Sequence, residues 1–190
     1  KSVIDIGCDH GLLSIYLANK FKNLKIIASD VNKNALDNAK KNITKCGLND
    51  RIETRLGSGI SVINNNDNID TIVVAGMGTN TIVEFLKCSR DKLVNVNKII
   101  IQSNTDLYFL RKNMVSMGYF IDDEELVVDK GIIYTIIKFV KGKMKYSYKE
   151  LYLGPILISK NSDLFVEKCM KELNNMKKIL KHIIVCILFC

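Results

Sequence analysis

The chain has 190 residues with a net charge of +8, and 47% of them are hydrophobic, which suffices for one domain with an appendage but not for two full domains. It has neither a signal-peptide pattern nor an apolar run of about 18 residues, so we expect a cytoplasmic protein without membrane contact. Its six cysteines lack metal-site spacing and only two histidines accompany them, which predicts reduced thiols and no bound metal.

Short apolar runs alternate with helical patterns up to Gly118, which is typical of parallel β-α-β units. Gly47 and Gly118 stand at helix ends, where a left-handed residue is favoured. The predicted strands are Val3–Ile6, Lys25–Ser29, Ile52–Leu56, Asp70–Ala75 and Lys98–Ser103. The predicted helices are Leu12–Phe21, Lys33–Cys46, Thr79–Lys92 and Asp106–Met117.

Two β-rich runs follow without a helix between them, at Tyr119–Val128 and Ile132–Val140, and Asp129-Lys130-Gly131 predicts a hairpin turn. Five β-α units and a final antiparallel pair indicate an α/β fold of the Rossmann-like, class I methyltransferase type. We expect a mostly parallel seven-stranded sheet with helices on both faces. Dinucleotide dehydrogenases usually continue instead with further parallel crossovers.

We predict a methyltransferase domain at residues 1–142, followed at residues 143–190 by a basic connector and a C-terminal helical extension. The connector contains Gly154-Pro155, with the single proline of the chain. Residues 1–140 carry 18 basic and 16 acidic side chains, whereas residues 141–190 carry 10 and 4. This asymmetry favours a surface that faces a polyanion, although a solvated lysine-rich face would give the same count.

From Asp163 onward, apolar residues recur at alternating spacings of four and three, which predicts a coiled-coil seam. One helix cannot bury such a seam alone. Either the sequence is truncated, or the seam is buried against another surface, for example by self-association. The seam consists of Cys169, Leu173, Met176, Leu180, Ile183 and Ile187.

The first predicted strand ends in Asp5-Ile6-Gly7-Cys8-Asp9-His10-Gly11 and leads directly into a helix. A glycine turn at this point lets a ligand approach the backbone, and the helix N-terminus offers N–H groups to an anion. Dinucleotide-binding turns carry a glycine where Asp9 stands, and a carboxylate there would repel a pyrophosphate but suit a sulfonium. The turn therefore predicts an S-adenosylmethionine site that includes Asp5, Gly7, Asp9 and Gly11.

Asp30 ends the second predicted strand, where a carboxylate can accept hydrogen bonds from both ribose hydroxyls of a nucleoside cofactor. We place Val31 beside it in the same site. Asp30 could instead cap the next helix, and Asp5 could instead brace the glycine turn. Cys8 is expected to be a small buried thiol rather than a nucleophile, because no base is evident near it.

Two further glycine-bearing strand ends complete the predicted cofactor site. Ser58 and Gly59 follow the third strand, where such proteins place a polar residue against the adenine. Ala75-Gly76-Met77-Gly78 ends the fourth, where the donated methyl group and the substrate should meet. We assign the first three of these four residues to the cofactor and Gly78 to the substrate, although Met77 could instead fill the core.

These motifs, together with Gln102-Ser103-Asn104 and Leu153-Gly154-Pro155, resemble those of the bacterial tRNA (adenine-22-N1)-methyltransferases over residues 3–180. The resemblance implies S-adenosylmethionine-dependent methylation of an adenine N1 in tRNA, and a pair of C-terminal helices forming a coiled coil. It also implies that Asp9 is the catalytic aspartate. We expect the substrate to be bordered by His10, Gly78, Gln102 and Asn104.

The sequence departs from the family pattern at three positions. Ser58, Ser103 and Gly11 stand where the family usually has Asp, Pro and Ala. The second departure predicts a looser loop beside the substrate pocket. Two other functions share some of these features, namely a small-molecule methyltransferase with the same cofactor site and a non-catalytic RNA-binding or assembly module.

Overall fold

Strands and helices alternate along most of the chain. The computed structural model describes residues 2–189, with side chains described through residue 183. The strands are β1 Ser2–Ile6, β2 Lys25–Asp30, β3 Ile52–Leu56, β4 Thr71–Ala75, β5 Lys98–Gln102, β6 Tyr119–Asp129 and β7 Ile132–Lys141. The helices are α1 Leu12–Lys20, α2 Lys33–Lys45, α3 Thr79–Cys88, α4 Leu107–Ser116, α5 Tyr148–Leu153, α6 Pro155–Lys160 and α7 Asp163–Phe189.

All seven strands form one sheet in the order β3-β2-β1-β4-β5-β7-β6. Only β7 runs against its neighbours, because β6 and β7 are joined by the predicted hairpin. The expected mostly parallel, seven-stranded sheet is therefore confirmed. Strands β2 and β3 lie on one side of β1, and β4 and all later strands lie on its other side. This reversal leaves a crevice beyond the carboxyl ends of β1 and β4.

Helices cover both faces of the sheet. Ile4 and Ile6 of β1 lie in the larger apolar cluster with Leu86 of α3. Ala28 of β2 and Ala39 of α2 lie in the smaller cluster. Because successive side chains in a strand point to opposite faces, the two clusters form one layer on each side of the sheet.

The predicted boundaries agree with the observed ones to within one residue, except at the end of α3. That helix was expected to reach Lys92, but Ser89 leaves helical geometry and a short 3₁₀ helix follows at Arg90–Leu93. Gly47 and Gly118 adopt φ of +67° and +90°, which confirms the left-handed ends after α2 and α4.

The connector after β7 contains two short helices, α5 and α6, that its basic composition did not predict. A buried ion pair from the sheet domain holds both of them. The Arg111 Nε atom donates to the Glu124 Oε1 atom at 2.8 Å, and both side chains are almost fully buried. Arg111 also donates to the carbonyl oxygens of Leu151 and Tyr152 in α5, each at 3.0 Å.

Glu124 completes this junction at the beginning of α6. Its Oε2 atom accepts a hydrogen bond from the Ile156 N–H at 3.0 Å. Gly154 lies against the pair with φ of +98°, and a Cβ atom there would come within 2.6 Å of Glu124. The Gly154-Pro155 sequence is thus the point where α5 and α6 meet the buried charges, and only glycine fits.

Helix α7 carries the predicted seam on a solvent-exposed face. The exposed fractions are 43%, 50%, 58% and 49% for Leu173, Met176, Leu180 and Ile183. Cys169 is half-buried, and the side chain of Ile187 lies outside the described residues. The coiled-coil pairing and the self-association of this helix stay predictions. Among residues 2–189, no helix combines the length and apolarity that crossing a membrane requires.

The buried pair generates a stability prediction. Glu124→Leu leaves the Arg111 charge buried without its partner, so the free energy of unfolding should fall by about 3–5 kcal/mol in urea denaturation. The neighbouring Glu125→Leu is the matched control, because Glu125 is 59% exposed and pairs with Lys160 at the surface. Its effect should be under about 1 kcal/mol. Equal losses in the two variants would contradict a central role for the buried pair.

Candidate active site

The turn between β1 and α1 lies at the crevice and is left-handed at three alternating positions. Gly7, Asp9 and Gly11 have φ of +72°, +48° and +70°. The N–H groups of Gly7 and Cys8 donate to the Ser29 carbonyl oxygen at 2.8 and 3.0 Å, which fixes the turn to the end of β2. Glycine accounts for two of these positions, and aspartate is among the few other residues that tolerate such a φ.

Asp30 connects this turn with the next one. Its Oδ2 atom accepts a hydrogen bond from the Asp9 N–H at 3.0 Å, and its Oδ1 atom accepts one from the Asn32 N–H at 2.8 Å. The alternative role of Asp30 as the cap of α2 is filled by Asn32, whose side chain accepts from the N–H groups of residues 34 and 35. Each oxygen of Asp30 keeps a further lone pair for a ligand.

Asp5 lies beneath the turn rather than at its surface. It is 3% exposed, and its carboxylate accepts a hydrogen bond from the Ser14 hydroxyl at 2.7 Å. This arrangement favours the bracing role, because Asp5 then holds the beginning of α1 against β1. Sequence reasoning missed Ser14, although a small polar residue within the apolar part of a helix is a signal for such a partner. Contact between Asp5 and the cofactor stays a prediction.

Asp9 and His10 both project outward from the turn. The Asp9 side chain is 70% exposed and that of His10 is 54% exposed, with 3.7 Å between the Asp9 Oδ2 and His10 Nε2 atoms. The first turn of α1 contains no acidic side chain, and its cap residue, Gly11, makes no side-chain hydrogen bond. Asp9 therefore does not cap this helix. The Ser14 N–H interacts with the buried Asp5 carboxylate, and the N–H groups of Leu12 and Leu13 are left to face an anion.

Cys8 has the environment expected of a buried thiol. Burial raises its pKa to about 12, with nearby carboxylates adding to the effect. At neutral pH the group is a protonated thiol, which is a poor nucleophile. The structure thus supports the interpretation of Cys8 as a packing residue.

At the end of β3, the predicted residues differ in exposure. Ser58 is exposed, as is Val31 after β2 at 62%, so both side chains are accessible from the crevice side of the sheet. Gly59 is buried, with φ of +53°, and a Cβ atom there would lie 2.5 Å from Phe85. Packing against Phe85 therefore explains this glycine, while its contact with the cofactor stays a prediction.

The end of β4 is open above the backbone. A Cβ atom at Gly76 or Gly78 would meet nothing within 4 Å, and Ala75 is exposed. Met77 instead packs on the larger apolar cluster, and its Sδ atom lies 3.3 Å from the place of a Cβ atom on Gly7. The two glycines thus leave room for a ligand, whereas Met77 fills space between two strand ends.

The end of β5 adjoins this opening. The Gln102 Oε1 atom accepts a hydrogen bond from the Gly76 N–H at 2.8 Å, which joins two predicted site residues directly. The Asn104 Oδ1 atom accepts from the Thr135 N–H at 3.3 Å, so this side chain also contacts β7. Gln102 orders the β4 turn, and Asn104 lies toward the hairpin.

The prediction that Ser103 loosens the loop after β5 stays a prediction, but the structure gives this residue a hydrogen-bond partner. Ser103 is 2% exposed, and its hydroxyl lies 3.0 Å from the hydroxyl of Thr79, the first residue of α3. Thr79 also donates through its hydroxyl to the Thr105 carbonyl oxygen. This hydroxyl network links the loop after β5 to the beginning of α3.

These groups suit a nucleoside cofactor with a carboxylate tail. Asp30 offers acceptor lone pairs, the first turn of α1 offers N–H donors, and Gly76 and Gly78 leave open space between them. A cavity of about 650 Å³ beside α1 contains none of these residues. The chemistry of the strand ends, rather than the volume of that cavity, therefore locates the candidate site.

Comparison with known proteins agrees with this geometry. The family model described as tRNA (adenine(22)-N(1))-methyltransferase matches residues 3–185. The chain belongs to that family. The curated family protein of Bacillus subtilis strain 168 is 29% identical over 185 residues, covering 94% of this chain and 77% of its own length. A tRNA methyltransferase homologue from Mycoplasma genitalium is 35% identical, covering 84% and 72% of the two chains.

Solved structures of family members share the whole fold. Streptococcus pneumoniae Sp1610, determined in complex with S-adenosyl-L-methionine, superposes with a TM-score of 0.90 at 31% identity, covering 95% of this chain and 84% of its own. Mycoplasma capricolum TrmK, in complex with S-adenosyl-homocysteine, gives 0.82 at 31% identity, with coverages of 95% and 80%. The expected fold and family are therefore confirmed.

The buried position of Asp5 generates a pH prediction. Desolvation raises the pKa of this carboxyl above its ordinary 3.8, despite the hydrogen bond from Ser14. Rising pH therefore ionises the unfolded chain first and lowers the stability of the folded state. Asp5→Asn removes this effect, so its stability relative to the parent protein should be greater at pH 7 than at about pH 3 in urea unfolding.

The same variant separates the two roles of Asp5. If it only braces the turn, Asp5→Asn should bind S-adenosylhomocysteine as the parent does, because the amide oxygen still accepts from Ser14. A clear loss of affinity without loss of stability would assign Asp5 to the cofactor. A stability difference that does not change with pH would contradict the raised pKa.

Proposed function

We propose that this chain binds S-adenosylmethionine in the crevice and transfers its methyl group to N1 of adenine 22 in tRNA. One observation carries the proposal. Gly76 and Gly78 have free space above their backbone, and they lie next to the left-handed turn after β1, which Asp30 holds by accepting a hydrogen bond from the Asp9 N–H. Family membership supplies the reaction class. Because the substrate is tRNA, the proposed place of action is the cytoplasm.

The residues around the crevice have distinct roles in this proposal. The Asp30 carboxylate accepts hydrogen bonds from the ribose hydroxyls, and the first turn of α1 binds the carboxylate of the methionine end. The cofactor supplies a sulfonium-activated methyl group. Gly76 and Gly78 admit the target adenine close to the backbone, while Gln102 keeps the β4 turn in place through its hydrogen bond to Gly76.

Adenine N1 has a free lone pair, so its methylation needs no base to remove a proton first. The ring becomes cationic as the new bond forms. We assign Asp9 the role of accepting a hydrogen bond from the adjacent exocyclic amine and stabilising that charge. Its 70% exposed side chain, which does not cap α1, is available for this contact. His10 lies beside it and borders the same substrate.

The reaction is tested by incubating the protein with methyl-labelled S-adenosylmethionine and an unmodified tRNA, followed by mass spectrometry of the nucleosides. Labelled 1-methyladenosine is the expected product, and a tRNA with guanosine at position 22 should remain unlabelled. Labelling of both tRNAs would contradict the assignment of position 22. No labelling of either would favour the small-molecule methyltransferase or the RNA-binding module.

The ribose assignment predicts the effect of Asp30→Asn. Loss of a charged acceptor should weaken S-adenosylhomocysteine binding by about 1.5–3 kcal/mol in calorimetry. Asp50→Asn makes the same change in charge at an exposed position before β3, on the opposite edge of the sheet, and should bind as the parent does. Parent-like affinity in Asp30→Asn would exclude the ribose role.

The catalytic assignment predicts a different pattern for Asp9→Asn. Asparagine tolerates the φ of +48° at this position, so the turn should persist. Single-turnover methylation at saturating cofactor should slow by about 10²–10³, while S-adenosylhomocysteine affinity stays close to that of the parent. If Asp9 instead only holds the turn, cofactor affinity and melting temperature should fall together and the chemical step should be unchanged.

We further propose that the C-terminal region binds the tRNA backbone. Residues 141–190 contain ten lysines, and four of them have partners within the protein. Lys160, Lys168 and Lys171 form ion pairs, and Lys141 donates to carbonyl oxygens. The other six are exposed, and none forms an ion pair within the described part of the chain. These six, called the open lysines below, are Lys143, Lys145, Lys149, Lys177, Lys178 and Lys181.

Replacement of the open lysines by glutamine tests this role without disturbing the buried pair under α5 and α6. In a plot of the logarithm of tRNA affinity against the logarithm of salt concentration, the slope should become shallower by about 0.7–0.9 for each lysine that contacts a phosphate. Replacing Lys40, Lys41 and Lys45 of α2 serves as a control for charge at exposed positions elsewhere. An unchanged slope in the open-lysine variant would mean that these residues form only a solvated face.

A further inference from the structure

Three tyrosine rings form a surface cluster where α4 meets α5. Tyr148 contacts both other rings, with its ring centroid 5.1 Å from that of Tyr108 and 5.9 Å from that of Tyr152. The planes of Tyr148 and Tyr152 differ by only 22°, whereas Tyr108 is tilted by 51° from Tyr148. We call Tyr108, Tyr148 and Tyr152 the tyrosine cluster.

The cluster contributes little to the core. Tyr148 is 67% exposed although it contacts both other rings, Tyr152 is 37% exposed, and Tyr108 is half-buried. Aromatic rings stabilise a fold mainly through the area that they bury, so rings left this open have another use available to them.

The protein nevertheless holds the cluster firmly in place. Tyr148 and Tyr152 are four residues apart on α5 and therefore lie on the same face of that helix. The end of α5 is fixed by the Arg111 guanidinium, which donates to the carbonyl oxygens of Leu151 and Tyr152. Arg111 belongs to α4, three residues after Tyr108, so one buried side chain positions both helices of the cluster.

Two lysines adjoin the tyrosine cluster, and two carboxylates, those of Asp106 and Glu172, lie near Tyr152. The Lys112 Nζ atom lies 5.7 Å from the centre of the Tyr108 ring. Lys149, one of the open lysines, follows Tyr148 directly on α5. Aromatic faces among lysines fit single-stranded nucleic acid, in which bases stack on the rings and phosphates contact the charges.

The cluster also lies on the side of the molecule where catalysis is proposed. Tyr108 is in the first turn of α4, directly after the loop that carries Gln102 and Asn104. Parallel strands in this sheet end at the same edge as the crevice, so the beginning of α4 belongs to its rim. A nucleic acid bound to the cluster would therefore lead toward Asp9.

We propose that the tyrosine cluster stacks an unpaired base of the tRNA close to the target adenine. The proposal rests on the proposed function, since it requires tRNA as the substrate. A paired adenine must leave its stack before N1 can react, and this costs binding energy. Stacking of a neighbouring base on Tyr148 supplies a favourable contact only to the opened RNA, and so favours the reactive arrangement.

The test compares Tyr148→Ala with Tyr148→Phe. Loss of the ring should weaken binding of the unmodified tRNA by about 10-fold, whereas phenylalanine keeps the stacking surface and should restore parent-like affinity. The matched control is Tyr16→Ala, because Tyr16 is 55% exposed and has a lysine, Lys20, 5.4 Å from its ring centre, but pairs with no second ring among the side chains that the structure describes. The control should bind tRNA as the parent does.

A fluorescence measurement reports stacking itself. With 2-aminopurine placed beside adenine 22, the parent protein and Tyr148→Phe should quench the emission on binding, and Tyr148→Ala should not. S-adenosylhomocysteine affinity and melting temperature should be the same in all variants, which excludes a general loss of structure. Equal tRNA affinity and equal quenching in Tyr148→Ala and the parent would overturn the proposal.

Failure of the proposed function and failure of the stacking surface give different results. If the parent protein neither binds nor methylates tRNA, the proposed function fails. If the parent methylates tRNA and Tyr148→Ala does so with the same affinity, only the stacking surface is wrong. Weakened binding by Tyr16→Ala to the same extent would also reject the cluster, because it would show that any exposed tyrosine has this effect.

Discussion

The reversal of strand order between β1 and β4 is the constraint on which the rest of this molecule depends. From β1 the chain continues to β2 and β3 on one side of the sheet, and it then returns to β4 on the other side of β1. The connections after β1 and β4 therefore lead away from each other and leave a crevice at the carboxyl ends of these two neighbouring strands. The glycines at Gly7 and Gly76 follow those ends directly. The crevice is therefore a result of topology, and local residues such as Asp30 only have to line it.

The fold could be predicted from the sequence, and candidate site residues could be named, because both have local signals. A strand followed at once by a glycine turn and a helix occupies a few adjacent residues, and Asp30 is recognisable from its place at a strand end. Hydrophobic periodicity likewise locates the first five strands and the hairpin. Each of these features depends on residues that are close neighbours in the sequence or repeat at a regular spacing.

Other features could not be predicted, because they depend on pairs of residues that meet only in the folded chain. Arg111 lies in α4 and Glu124 lies in β6, 13 residues later in the sequence. Neither has a neighbour in sequence that indicates its burial. Helices α5 and α6 have six residues each, which is too short for a periodic pattern. The hydroxyl partner of Ser103 could not be predicted either, because Thr79 is 24 residues away and begins a different helix.

Gly154 has a consequence for which sequences the junction tolerates. A Cβ atom at this position would press on both members of the buried ion pair, because the nearest atoms belong to Glu124 and Arg111. These two side chains hold α5 and α6 through hydrogen bonds to their backbone. The attachment of both helices to the sheet domain therefore depends on a space that is smaller than one methyl group.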